Sequence, residues 1–116
     1  MNLELITGTA EEYESAIACP AIDPDDFDTI QSHMLFLDNI LREKSAEQAE
    51  SISLRSIKLL EDQADNFSLI GDIFRSIIFF ASISEYPQTV RIVCDSDETA
   101  RLYEEIYDYW FAEETL

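Results

Sequence analysis

Few side chains in this sequence could act as a nucleophile or a base. His33 is the only histidine, and Cys19 and Cys94 are the only cysteines. A Cys/His or Ser/His catalytic arrangement needs a base beside its nucleophile, and neither cysteine is close to His33 along the chain. The motifs GxxxxGK[ST], GxGxxG, HExxH and GxSxG are absent. We therefore predict that the protein is not an enzyme and that it needs no cofactor.

Acidic charge dominates the composition. The 116 residues include 25 Asp plus Glu against 7 Lys plus Arg, which gives a formal net charge of −18. Residues 1–41 contain no Lys or Arg and residues 95–116 contain only Arg101, whereas residues 42–75 are nearly balanced. Such a charge repels nucleic acid and anionic membranes and attracts basic surfaces. We expect a basic protein partner, no direct nucleic-acid binding and no membrane association.

The last acidic region combines carboxylates with aromatic rings. On helical spacing, its aromatic stripe is explained most simply as a core-facing side. Five aromatic residues between 103 and 111 exceed what one stripe needs, so Tyr109 or Phe111 is expected at the surface. Tyr and Trp are favoured interface anchors, because they bury a large area while keeping a polar tip satisfied. The predicted partner-binding residues here are Glu104, Glu105, Asp108, Tyr109 and Phe111.

A second acidic run covers residues 23–28. Its alternating carboxylates resemble a calcium loop, but the fifth position counted from Asp23 is Phe27 and the twelfth is Met34, where an acid is required. Helix capping by solvated acids explains the run better, so no metal site is predicted. The run adds three residues to the predicted partner-binding set, namely Asp25, Asp26 and Asp28.

The cysteines and the N-terminus indicate the cellular compartment. Two cysteines without CxxC spacing favour buried free thiols, and a single bridge between Cys19 and Cys94 is the alternative. The first residues lack a basic region, and no apolar run reaches about 18 residues. We expect a cytoplasmic protein.

Two short elements are predicted near the N-terminus. Residues 3–7 alternate in the manner of a short strand. Thr9, followed three residues later by Glu12, has the form of a capping box. A brief helix should therefore run to about residue 18, before Pro20 ends it.

Residues 24–64 are predicted to form a hairpin of two antiparallel helices. Asp23 and Pro24 mark the start of the first, about 24–43, because Asp can cap and Pro suits the first helical position. The second begins at Ser45, and so short a link usually makes neighbouring helices antiparallel. The side chains expected to face inward are Phe27, Ile30, Met34, Leu37, Ile52 and Leu60.

Residues 66–84 are apolar around most of a helix, and their length favours a buried helix over a strand. The alternative is a strand over 77–83 that turns into a second strand over 89–94. The strand over 89–94 is expected in either case. A final helix, about 96–112, should follow with Asp95 as its cap.

The composition indicates a folded chain forming a single domain, residues 1–116. It is 47% hydrophobic and 11% aromatic, well outside the range of disordered acidic segments. Only two Gly and three Pro leave few tight turns, which favours helices joined by short links. The predicted fold class is α+β: a mostly helical single domain with about five helices and two or three short strands.

Both ends of the sequence carry strand patterns. Residues 3–8 followed by 16–18, and residues 90–94 followed by Tyr103, resemble the two ends of a macro domain. The resemblance implies an ADP-ribose site with an Asp directly after the first Gly and Gly-rich loops later in the chain. This sequence has Thr9 at that position and only Gly71 afterwards, so no functional residue carries over.

The charge distribution leads to the functional prediction. Solubility alone requires less acid than this, and halophilic adaptation would make the whole surface acidic rather than leave residues 42–75 balanced. Glu104 and Asp108, four residues apart on one predicted helix, repel each other at a cost of ~0.2–0.5 kcal/mol. We predict a small acidic binding protein that docks on and blocks a basic partner, in the manner of a DNA mimic or an immunity protein. The alternative is a non-inhibitory helical adaptor or oligomerising module.

Overall fold

The structure, a computed structural model, describes residues 1–111 and has an α+β fold. Within these residues, three parallel strands and four helices follow one another along the chain. The prediction of about five helices was one too many, and the predicted strands number three. The elements are β1 (Asn2–Thr7), α1 (Ala10–Ser15), α2 (Phe27–Ala46), β2 (Ser51–Arg55), α3 (Gln63–Ile83), β3 (Thr89–Cys94) and α4 (Asp97–Phe111).

The sheet has the strand order β1-β3-β2, with β3 in the centre. Alternate residues of each strand face one apolar core, where they meet side chains of α2, α3 and α4. α3 packs against both α2 and α4. The inward-facing strand residues are Leu3, Leu5, Ile52, Leu54, Val90 and Ile92.

The predicted capping box is present at the start of α1. The Thr9 backbone N–H donates to the Glu12 carboxylate at 3.0 Å, and the Glu12 N–H donates to the Thr9 hydroxyl at 3.2 Å. α1 ends at Ser15, earlier than the predicted residue 18. Ile17 instead pairs with the edge strand β2, because its N–H donates to the Ser53 carbonyl at 2.8 Å.

The predicted helical hairpin over 24–64 is wrong. α2 continues through Ser45, where a second helix was expected to begin, and residues 51–55 form a strand. Ile52 and Leu54 alternate with polar neighbours, and this period of two places both side chains in the core when the segment pairs with β3.

The start of α2 also differs from the prediction. Asp26 caps the helix, and its carboxylate accepts from the Asp28 N–H at 3.0 Å. Asp23 forms a preceding turn by accepting from the Asp25 N–H at 3.0 Å, so Pro24 lies outside the helix. Phe27, predicted to face inward, is exposed because it lies in the first turn before α2 reaches the core.

The buried helix predicted over 66–84 is confirmed as α3, and the alternative of a strand over 77–83 is wrong. α3 is the one helix within residues 1–111 that is long and apolar enough to cross a membrane, with 21 residues and a mean hydropathy of 1.4. Ile70, Phe74 and Ile77 are fully buried in the core. Burial of this side accounts for only part of the apolar composition of α3, because Phe79 and Ile83 are exposed.

The last two elements largely follow the prediction. β3 occupies the centre of the sheet. At the start of α4, the Ser96 hydroxyl accepts from the Thr99 N–H at 3.2 Å, so Ser96 takes the capping place predicted for Asp95. The predicted helix end at residue 112 lies outside the described residues.

Candidate protein-binding surface

α4 divides its aromatic residues between the core and the surface. Phe74 of α3 receives the edges of three α4 rings, with centroid distances of 5.8 Å to Tyr103, 5.2 Å to Tyr107 and 6.2 Å to Phe111. Phe111 is only 5% exposed. Its predicted role as a surface contact is therefore wrong: packing on α3 makes it part of the core.

Tyr109 is the predicted anchor that reaches the surface. Its side chain is 70% exposed, and its ring packs 4.9 Å from Phe67 and 5.1 Å from Trp110. Trp110 is also partly exposed and lies 5.5 Å from Phe67. These ring contacts restrain both rings before any partner arrives, which lowers the entropic cost of binding.

The predicted acids share α4 with these rings and have no basic partner among residues 1–111. Glu104, Glu105 and Asp108 are all exposed. Five ion pairs occur in the described chain, and none includes these carboxylates. Even Arg101, one helical turn away, forms no ion pair with them within that range. The three charges are therefore available to an outside partner.

The second predicted acidic group lies at the start of α2. Asp25, Asp26 and Asp28 are exposed, and the Asp26 carboxylate is already used in capping. Within residues 1–111 no hydrogen bond or ion pair joins this group to the acids of α4, and α2 and α4 each pack against α3. We therefore treat the α4 group, which shares its helix with packed, exposed rings, as the candidate site.

Sequence reasoning missed a cavity of about 270 Å³ at the carboxyl end of β2. Cys19 and His33, which are distant along the chain, both line it because the segment after α1 wraps around β2. No local sequence signal indicates this proximity, since it depends on the pairing of Ile17 with the strand. The polar lining residues are Tyr13, Cys19, His33, Arg55, Ser56 and Lys58.

Most polar groups of this cavity hold the surrounding loops together. Arg55 donates from Nε to the Tyr13 carbonyl at 2.8 Å and from Nη2 to the Glu14 carbonyl at 2.6 Å. The Tyr13 hydroxyl donates to the Ser56 carbonyl at 3.2 Å. His33 is buried, and its Nδ1 lies 2.8 Å from the Pro20 carbonyl, which assigns the ring proton to Nδ1 because a carbonyl only accepts.

The two thiols lack the features of a catalytic cysteine. Burial raises the pKa of Cys19 to about 11, so the thiol stays protonated at neutral pH and is a poor nucleophile beside His33. Burial, together with the charge of Asp95, likewise raises the pKa of Cys94 to about 11. Both cysteines are free, and the predicted alternative of a bridge is not present.

Comparison with known proteins adds no family to this description. The chain matches no protein-family model and none of the curated proteins.

Proposed function

We propose that this chain is a small cytoplasmic acidic binding protein that docks on a basic partner and blocks it. The partner class that fits best is a nucleic-acid-binding protein or a nuclease-like toxin. One observation carries the proposal: three exposed carboxylates without a basic partner in residues 1–111 share α4 with the packed, exposed rings of Tyr109 and Trp110.

The carboxylates would attract the basic partner and align its phosphate-binding groove with α4. Residues three and four apart on a helix have Cβ atoms about 5–6 Å apart, so Glu104 and Asp108 repeat at a spacing comparable with that of backbone phosphates. A groove built to bind phosphates would accept them in place of nucleic acid. Long-range attraction would raise the rate of association with such a groove.

The aromatic rings would keep the complex together once it has formed. A large aromatic side chain that is desolvated at an interface mainly slows dissociation. Tyr109 suits this role, because its ring is exposed and its contacts with Phe67 and Trp110 already fix its position. In this account the protein acts without catalysis, and His33, Cys19 and Cys94 are dispensable for binding.

A non-inhibitory helical adaptor is the second candidate. Exposed apolar side chains on α3, Phe79 and Ile83, would also suit it, because an apolar interface need not overlap a nucleic-acid site on the partner. The two candidates differ in one respect: a blocking protein and nucleic acid exclude each other from the partner, whereas an adaptor and nucleic acid bind it together.

Capture from the native cell at low salt, with stepwise salt elution, tests the proposal. The bait proteins are the wild type, a triple charge reversal of the α4 acids (E104K, E105K, D108K) and a matched control. The control is E43K, E50K, E85K, which changes the net charge equally at exposed positions that form no ion pair within residues 1–111.

The proposal predicts that a basic protein binds the wild type and the control, is lost from the α4 reversal and is released by moderate salt. Added chain should then displace duplex DNA from the captured protein. Equal capture by all three baits would contradict the α4 site. Simultaneous binding of DNA and this chain would contradict blocking and favour the adaptor.

A further inference from the structure

The exposed rings of α4 continue onto an exposed face of α3. Trp110 lies under the guanidinium of Arg75, and Phe79 and Ile83 follow Arg75 at steps of four residues along the same side of the helix. Phe79 is 67% exposed and Ile83 is 60% exposed. We call these five residues, Tyr109, Trp110, Arg75, Phe79 and Ile83, the α3–α4 strip.

The α3–α4 strip is unnecessary for the core. α3 already buries its opposite side, including Phe74, Ile77 and Phe80, so Phe79 and Ile83 point away from the packed residues. Several large apolar side chains exposed along one line mark an interaction site more strongly than scattered ones do. From Phe67, which contacts Tyr109, to Ile83 the line extends about 24 Å along α3.

We infer that the α3–α4 strip receives a basic amphipathic helix of the partner, laid lengthwise along α3. This inference rests on the proposed function, because it names the partner element for the same acidic surface. A helix of about 16 residues matches the length of the strip and can place apolar side chains on it every three or four residues.

The acids of α4 favour basic residues on the polar side of the partner helix. Glu105 lies one helical turn before Tyr109 on the same side of α4, and would face a Lys or Arg side chain flanking the partner's apolar stripe. Glu104 and Asp108 extend the exposed acidic surface of the same helix. Arg75, the basic member of the strip, does not oppose this arrangement. Its guanidinium pairs with Asp72 at 2.8 Å and stacks on Trp110.

The same charge argues against two other occupants. A second copy of this chain would bring together two proteins of formal charge −18, which repel each other. An anionic membrane surface repels the chain for the same reason. A basic helix is the occupant for which both the apolar line and the acids of α4 are favourable.

Trp110 is the only tryptophan, so its fluorescence reports directly on the strip. The probe is a synthetic peptide of about 18 residues with leucines on one helical face and lysines on the other, titrated into the full chain. A peptide of the same composition in scrambled order carries the same charge without an apolar face. The variants are F79S with I83S, and L35S as a control on the exposed side of α2.

We expect the amphipathic peptide to shift the Trp110 emission and to bind at least about tenfold more tightly than the scrambled one. The α3 double variant should remove that advantage, and L35S should keep it. Equal binding of the two peptides, abolished by the α4 charge reversal, would overturn the helix inference while leaving the proposed function intact. Binding of both peptides that is indifferent to the α4 reversal would count against both.

Sedimentation of the purified chain, with and without vesicles, tests whether a second copy or a lipid surface binds the α3–α4 strip instead. A monomer at low salt that does not cosediment with vesicles is expected. A dimer, or cosedimentation with vesicles, that the α3 double variant abolishes would overturn the inference in favour of a second copy or a lipid surface.

Discussion

Arg75 of α3 lies over the indole of Trp110 of α4, with its guanidinium carbon 4.4 Å from the ring centroid. Gly71, one turn earlier, allows the indole to approach the helix backbone, because a Cβ atom placed there would lie 3.1 Å from the indole Nε1. These contacts join the exposed parts of α3 and α4 into one surface.

Replacing Arg75 with Ala should expose Trp110 further and shift its fluorescence emission to longer wavelength. The free energy of unfolding should fall by only about 0.5–1 kcal/mol, the range for a cation–π contact at an exposed site. R42A is the matched control, since Arg42 forms a similar surface pair with Asp38 on α2. An unchanged emission spectrum in R75A would show that the contact does not hold the indole.

Replacing Leu37 with Ala should lower the free energy of unfolding by ~2–5 kcal/mol, because the side chain is 1% exposed and its loss leaves a cavity. L35A on the same helix is the control: Leu35 is 62% exposed, and its loss should cost under about 0.5 kcal/mol. Urea denaturation measures both. Similar values for the two variants would mean that α2 is packed in a different rotation.

Tyr103 accepts a hydrogen bond from the backbone N–H of Ile57 at 2.9 Å inside the core. Replacing Tyr103 with Phe should leave that N–H unpaired and cost about 1–3 kcal/mol of stability. Y109F removes a hydroxyl from an exposed ring and should change stability little. If thermal unfolding midpoints of the two variants coincide, the hydrogen bond contributes nothing measurable.

The predictions from sequence succeeded where local patterns decide the structure. The capping box at Thr9 and the long apolar run of α3 depend on neighbouring residues, and both were placed correctly. β2 was missed because Ile52 also fits a helical spacing, and only pairing with β3 selects the strand. Tertiary contacts decide such segments.

Prediction of the candidate site from the sequence was limited in the same way, because tertiary contacts decide which aromatic side chains are exposed. An exposed aromatic on α4 was predictable from the excess of rings, but the choice between Tyr109 and Phe111 depends on where Phe74 lies. The cavity that both Cys19 and His33 line could not be predicted from the sequence either, because a loop from another part of the chain completes it.

Stability should decrease as the pH rises from about 9 to about 11. Burial raises the pKa of Cys19 and Cys94 to about 11 from an ordinary value of 9.0, so unfolded thiols ionise while folded ones keep their protons. The stabilisation is complete below pH 9 and is lost progressively towards pH 11.

Urea denaturation across this range measures the slope. The double variant C19A, C94A should show a shallower slope than the wild type, although burial also raises the pKa of Tyr103 and contributes in the same direction. The slopes are compared because C94A also removes a buried group. Parallel slopes would rule out a contribution from the thiols.

Mutations in the acidic part and in the aromatic part of the binding surface should change different rate constants. Charge reversal at Glu104, Glu105 and Asp108 should slow association, whereas Y109A should mainly speed dissociation, because a desolvated aromatic anchor acts after encounter. The control reversal at Glu43, Glu50 and Glu85 should have a smaller effect on association, since those charges are not on α4.

Surface plasmon resonance with the captured basic partner immobilised, at a series of salt concentrations, tests electrostatic docking most directly. The Debye length falls from about 10 Å at about 0.1 M salt to about 3 Å at about 1 M. We expect the association rate to fall steeply over this range for the wild type and to be lower and less dependent on salt for the α4 reversal. An association rate indifferent to both salt and charge reversal would contradict docking through the acidic face of α4.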